Sequence, residues 1–276
     1  MTDSASLFSK KEAEELGMGL APLSVLIENE SYRDFDEIQT DTLIEKIKNG
    51  AIPTSSQPSI GEKTDIYNEF IAQGYEVIDI AMADGLSGTY QSACMAKDSC
   101  DDPDKVTVYN TKTLCIPENL MVKKAKEMAD QGASKDEILS MLEQASSHEI
   151  SFLTPLDFEF LVRGGRTNNA TGIIGGLLKL IPVVRKTDDG TRLEKFTVTR
   201  TNKKAIKNMI QYLKEQGVDS SYTFGVAHGM NEELANIFKE AILKEFEGAN
   251  VIIAPLTPSF VTQGGPGCVS VHAIKI

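Results

Sequence analysis

Short apolar runs alternating with helical segments predict an α/β protein, its first half layered around a mainly parallel sheet. Three observations carry that class. Val77-Ile78-Asp79-Ile80-Ala81-Met82 reads as a buried strand, and Tyr90-Gln91-Ser92-Ala93-Cys94-Met95-Ala96 behind it has helix-forming content without a breaker. Strand–helix units recur on both sides, at residues 23–27 with 40–49 and at residues 106–109 with 117–132. Beyond residue 149 the rhythm changes to a hairpin followed by further strand–helix units, so two domains are expected, 1–154 and 155–276, the second with a mixed sheet.

In chain order, residues 23–27 form a strand and residues 40–49 a helix ended by Gly50. Pro53-Thr54-Ser55-Ser56-Gln57-Pro58-Ser59 is a hydroxyl-rich loop held by two prolines. Ser59 with Glu62 gives a capping box for a helix carrying Ile66 and Phe70, and Ser134 with Glu137 gives a second for a helix carrying Ile138, Leu142 and Ala145. Pro117 suits a first helical turn. Phe158, Phe160 and Leu161 start a helix that Arg163-Gly164-Gly165-Arg166 breaks. Asp188-Asp189-Gly190 joins strands over residues 178–184 and 193–198 as a hairpin. Asn202 and Asn231 cap the next two helices, separated by a strand over residues 222–227. Strands over 251–254 and 269–276 finish the chain, with Gly264-Gly265-Pro266-Gly267 between them as a glycine loop.

The chain has 276 residues, 41% of them hydrophobic, and a net charge of −12, which argues against nucleic acid and anionic membranes as partners. Its longest apolar stretch, residues 173–184, is interrupted by Gly175, Gly176, Lys179 and Pro182 and falls short of the ~20 residues of a membrane span. Met1-Thr2-Asp3-Ser4 has no signal-peptide pattern, and Cys94, Cys100, Cys115 and Cys268 make no C-x-x-C pair, so a cytoplasmic protein with reduced thiols and no metal is expected.

The chemistry gathers at Asp84-Gly85-Leu86-Ser87-Gly88-Thr89, a strand-to-helix turn that aims N–H groups and hydroxyls at one spot and favours an anion. Two further loops, Thr54-Ser55-Ser56 and residues 264–267, sit where α/β sheets place ligands. None of the three contains lysine or arginine, so together they suggest a pocket of neutral donors suited to a carboxylate. Alternatives remain. Gly85-Leu86-Ser87-Gly88-Thr89 approaches the G-x-S-x-G elbow of serine hydrolases, which would make Ser87 an esterase-like nucleophile, although Thr89 stands where that elbow needs glycine. The turn also serves as a plain helix cap in an interaction module with no ligand. Arg163, Arg166 and Arg200 read as solvated side chains or as a basic docking face; His228 reads as a hydrogen-bonded strand end, and His148 and His272 as surface residues.

Leu86-Ser87-Gly88-Thr89-Tyr90-Gln91-Ser92-Ala93 resembles the signature of the DegV family of bacterial fatty-acid-binding proteins. So do Thr2-Asp3-Ser4, the 53–59 loop, Arg163-Gly164-Gly165-Arg166, Arg200 with Lys203-Lys204-Ala205-Ile206, and Gly265-Pro266-Gly267. The resemblance runs through essentially the whole chain. It implies a DegV-like α/β fold with a three-layer N-terminal domain and a C-terminal domain of mixed sheet. One long-chain fatty acid would lie in a tunnel between them as the only ligand, with no further cofactor. It also implies a non-catalytic carrier that presents the acyl carboxylate to the ATP-using subunit of fatty acid kinase. Ser55 and Ser87 match the hydroxyl positions that hold the carboxylate, with Thr54, Gly88, Thr89, Gln263 and Gly264 expected around the same head group, and Arg163, Arg166 and Arg200 match docking or phosphotransfer positions. Three departures stand out. Only Met1 precedes Thr2-Asp3-Ser4, where the family has a short strand. Ala83-Asp84 replaces two serines, so Asp84 must point away, pair or carry a proton. Gln263 replaces a histidine and can donate but supplies no charge. Burying a sixteen-carbon tail at ~0.8 kcal/mol per methylene offers roughly 10 kcal/mol before the costs of binding, so the tail sets affinity and the head-group pocket sets register.

Overall fold

The computed structural model describes residues 1–167 and 180–276. The first strand, β1 (Thr2–Asp3), lies inside a four-stranded sheet rather than being lost. A short helix α1 (Lys10–Glu15), closed by a Ser9/Glu12 capping box that the sequence reading passed over, leads to β2 (Leu20–Ala21). The chain then makes β3 (Ser24–Ile27), β4 (Glu30–Arg33), α2 (Thr40–Lys48) and β5 (Thr54–Ser56), in which β3 pairs antiparallel with both β4 and β5. The hydroxyl-rich loop is thus partly an edge strand, held by Val25 opposite Ser55.

Next come α3 (Ile60–Ala72), β6 (Val77–Ala81), α4 (Thr89–Ser99), β7 (Val106–Asn110), α5 (Ile116–Asp130) and α6 (Lys135–Ser147). The first sheet runs β2-β1-β6-β7, all parallel. Asp79 at its centre is fully buried and is neutralised by Lys63 of α3 at 2.6 Å, with Tyr67 donating to the same carboxylate. The capping box at Ser134 forms. The one at Ser59 does not: Ser59 is the N-cap without a side-chain bond, because Glu62 turns instead to Arg33 at 2.7 Å.

The second sheet contains β8 (Glu149–Thr154), which pairs antiparallel with both of its neighbours. Then follow α7 (Phe158–Gly164), β9 (Ile181–Lys186), β10 (Leu193–Thr199), α8 (Asn202–Glu215), β11 (Thr223–His228), α9 (Glu232–Glu245), β12 (Asn250–Pro255), α10 (Pro258–Gly264) and β13 (Val269–Ile274). Their order across the sheet is β10-β9-β8-β13-β11-β12, with only β11 and β12 parallel. The hairpin at residues 188–190 is present. Thr201, not Asn202, caps α8. The opening of the strand expected from residue 178, and the glycine-rich residues beyond 167, lie outside the described residues.

Alternation splits this sheet in two. Phe152, Val183, Phe224, Val226 and Val271 pack on α8 and α9, while Gly225 and Ala227 on the other face meet Ile116 of α5. The space between the halves is therefore walled by the inner face of the second sheet and the carboxyl ends of the first. No described helix is long and apolar enough to cross a membrane.

Candidate functional site

A cavity of about 940 Å³, counting its open mouth, lies between the two halves. Its walls are mainly aliphatic and aromatic, with Leu23, Met82 and Leu86 from the first half and Leu153, Leu161 and Phe260 from the second. A mainly apolar wall with a few convergent polar groups suits a small organic ligand.

Ser55, Ser87, Arg166 and Gln263 line it from four separate segments. Gln263 Nε2 donates to Ser55 Oγ at 3.2 Å, which leaves the Ser55 O–H directed elsewhere. Ser87 Oγ lies 2.8 Å from Thr89 Oγ1 and accepts from Thr89 N–H at 3.3 Å, so with Thr89 donating, the Ser87 hydroxyl hydrogen is also free. Two serine donors thus reach one space. Thr54, Gly88, Thr89 and Gly264 do not line the wall. Thr54 and Gly88 are exposed, Thr89 is buried behind Ser87, and Gly264 packs on Cys268, whose Sγ would lie 2.6 Å from an added Cβ. Asp84 is exposed and has no ion pair among the described residues, so it points away from the pocket.

The glycine pair before Arg166 has a local cause. Gly165 takes a left-handed conformation (φ 70°, ψ 11°) that ends α7 and reverses the chain. Arg163, on the last helical turn, stays exposed and stacks over Phe160, with its guanidinium carbon 4.4 Å from the ring centroid. Arg166 turns inward, donating through Nε to Leu86 O at 3.1 Å and through Nη1 to Gly164 O, while its own carbonyl accepts from Leu193 N–H. A Cβ at Gly164 would sit 2.0 Å from Gln263 Oε1, so a side chain there would displace the Gln263 amide. The expected pocket of neutral donors is corrected by this geometry: the three loops contain no cation, but Arg166 from a fourth segment reaches the Ser87 turn. Arg200 is not brought to the site. It is exposed at the far end of β10, seven residues or about 20 Å beyond Leu193.

The glycine loop of residues 264–267 begins on a helix, whose last residue is Gly264. Pro258 opens α10 after Thr257, a start signal the sequence carries and the glycines obscure. Asp34 fixes that helix from the first half of the chain, accepting from Ser259 N–H at 3.0 Å and from Ser4 Oγ at 2.9 Å, and Thr40 Oγ1 donates to Leu256 O at 2.7 Å. Burial raises the Asp34 carboxyl to about 6 against the pull of those bonds. Gly85 is required by the opposite contact, since a Cβ there would lie 2.2 Å from Thr191 Cα in the β9–β10 turn.

Deeper in, the inner face of the second sheet is polar. Glu149, Ser151, Lys186, Ser270 and His272 are each at most 8% exposed, and all but Glu149 line the cavity. His272 is therefore no surface residue: burial, then the nearby Lys186 charge, push it down to about 3. Ser87 has no imidazole partner among the described residues, and His228 accepts from Asn231 N–H at 3.2 Å. The four cysteines are free, and burial raises Cys115 and Cys268 to about 12.

Fold and site together define a two-part α/β protein with an enclosed, mostly apolar ligand cavity and a polar mouth. A family model described as "Uncharacterised protein, DegV family" matches residues 1–275, and the chain belongs to the DegV family. A DegV domain-containing protein of Staphylococcus aureus is 32% identical over 280 residues, covering 100% of this chain and 98% of its own length. Among solved structures, a fatty-acid-binding DegV family protein from Thermus thermophilus aligns with a TM-score of 0.89 at 27% identity, covering 100% of this chain and 98% of that one. DegV of Bacillus subtilis, described as a fatty acid binding protein, aligns with a TM-score of 0.84 at 28% identity over the same shares.

Proposed function

We propose that this protein binds one long-chain fatty acid in the cavity between its halves and acts as a carrier rather than as a catalyst. The observation that carries the reading is the pair of uncommitted serine hydroxyls, Ser55 and Ser87, on the wall of a mainly apolar cavity. A carboxylate there accepts two O–H bonds and lies beside the Arg166 guanidinium, whose second terminal nitrogen has no partner among the described residues. The fatty acids bound by the Thermus and Bacillus relatives support the ligand class. Ser87→Ala tests the assignment: long-chain acid binding should weaken about tenfold to a hundredfold, one charge-assisted hydrogen bond. Unchanged affinity removes Ser87 from the role.

The carrier reading extends to a partner, an ATP-using acyl kinase subunit that phosphorylates the presented carboxylate. The exposed Arg163 on the helix that leads to Arg166 is the docking contact in this reading, and Arg200, well away from the mouth, is not in reach of the head group. Arg163→Glu should reduce acyl phosphate formation by the added kinase subunit while leaving fatty acid affinity unchanged. Equal loss of both would place Arg163 in binding instead.

A further inference from the structure

Three adjacent strands put Lys186, Ser151 and His272 side by side: β13 pairs His272 with Ser151, and the β8–β9 register of Phe152 with Arg185 sets Lys186 opposite Ser151. Glu149 and Ser270 follow two residues along on the same face. Their hydrogen bonds run in a single sense. Glu149 as a carboxylate only accepts, so Ser151 donates to its Oε1. His272 Nδ1 then donates to Ser151 Oγ at 2.6 Å, and the neutral ring accepts at Nε2 from Ser270 Oγ at 2.9 Å. Every hydroxyl hydrogen is thereby used. The exception is Lys186, whose Nζ lies 3.0 Å from Glu149 Oε2 and spends at most one N–H on that ion pair. Its other two N–H groups are uncommitted among the described residues, and the side chain lines the cavity.

A wall meant only for hydrocarbon gains nothing from a buried ion pair, which aliphatic residues such as the neighbouring Leu153 and Val184 replace without loss. A plain methylene chain against Lys186 would leave its donors dry. We infer that the cavity accepts an acyl chain bearing an oxygen substituent, a hydroxyl or oxo group remote from the carboxyl, seated against Lys186 beside Ser151 and His272. Leu153 stands near Gly264 at the mouth, and Ser151 is two residues, about 7 Å, further along β8, so the substituent lies inward of the head group. The inference rests on the fatty-acid reading above and adds to it a chain selectivity that the head group does not supply.

Calorimetric titration of the delipidated full chain with octadecanoic acid, and with hydroxyoctadecanoic acids carrying the hydroxyl at successive carbons, tests both readings separately. At least one positional isomer should bind about tenfold or more tighter than the plain acid, the gain of one hydrogen bond from a charged donor. The double variant Lys186→Met/Glu149→Gln, neutral as the pair is, should keep plain-acid affinity and lose the preference. Lys186→Arg, which keeps the charge and moves the donors, should shift the preferred carbon or abolish the preference, and it serves if the double variant does not fold. The inference is overturned if the plain acid binds and no isomer binds tighter, or if the preference survives unaltered in the variants. Failure of every acid to bind overturns the fatty-acid reading itself.

Discussion

The two polar regions of the one cavity are built in opposite ways. The mouth is assembled from loop and helix ends: Ser55 from an edge strand, Ser87 from a turn, Arg166 after a left-handed cap and Gln263 from α10. The inner wall consists of alternate residues on neighbouring strands of one sheet, where register alone brings Glu149, Ser151, Lys186, Ser270 and His272 together. Segments from separate places can adjust to a ligand with little effect on the core. A row set by strand register is part of the core. The mouth should accordingly respond to mutation mainly in binding, and the inner wall mainly in stability.

The largest expected effect breaks the inner wall. Glu149→Ala removes the partner of a Lys186 side chain only 5% exposed and takes away the acceptor for Ser151. Leaving one charge of a buried pair uncompensated costs about 3–5 kcal/mol. Chemical denaturation should register that loss, and Glu149→Gln should recover part of it by keeping an acceptor for Ser151. At the mouth, Arg166→Ala should leave stability nearly unchanged and weaken acid binding tenfold or more. A large loss of stability in Arg166→Ala would show that the mouth belongs to the core after all.

The two regions should also respond to pH with opposite signs. Asp34, which anchors α10 near the mouth, is raised to about 6. A carboxyl raised on folding adds stability that is complete below its ordinary value near 4 and is lost as pH rises through 6. Asp34→Asn stays neutral throughout, so its stability relative to wild type should improve by about 1–2 kcal/mol between pH 5 and pH 7. His272 is pushed down to about 3, so the unfolded chain takes up a proton that the folded one refuses, and stability falls as pH drops below 6.5. His272→Gln should therefore improve relative to wild type in the other direction, by about 2 kcal/mol from pH 7 to pH 5. Denaturant midpoints at the two pH values decide it, and parallel profiles for either variant would remove that group from the account.

How much of this was legible in the chain follows from the same contrast. The strand–turn–helix around Ser87, the 188–190 hairpin and the Ser134 cap depend on neighbours in sequence, and local pattern showed them. Convergence of the 54–56, Ser87 and Gln263 segments could be reasoned from where α/β sheets place ligands. The inward turn of Arg166 depends on one left-handed glycine, and nothing in Gly164-Gly165 says which flanking arginine goes in. The inner wall was hidden for a physical reason. Polar residues alternating with Ile150 and Phe152, or with Val269 and Val271, have the pattern of a sheet face open to water, and only the packing of the first half against that face buries them. Asp34 is invisible for a related reason, because its partner Ser259 is 225 residues away.

The smallest expected effect sharpens the account of the mouth. Gln263 presents an amide nitrogen to Ser55 where the resemblance implies a histidine, and an amide does not titrate. Fatty acid affinity in the wild type should therefore be nearly flat between pH 6 and pH 8. Gln263→His introduces a ring that gains a proton as pH falls through about 6.5, and the added cation beside a bound carboxylate should tighten binding several-fold at pH 6 relative to pH 8. Thr54→Ala provides the reference: its side chain does not line the cavity, so affinity and pH profile should both match the wild type. A flat profile in Gln263→His would separate residue 263 from the head group and leave Ser55, Ser87 and Arg166 to hold it alone.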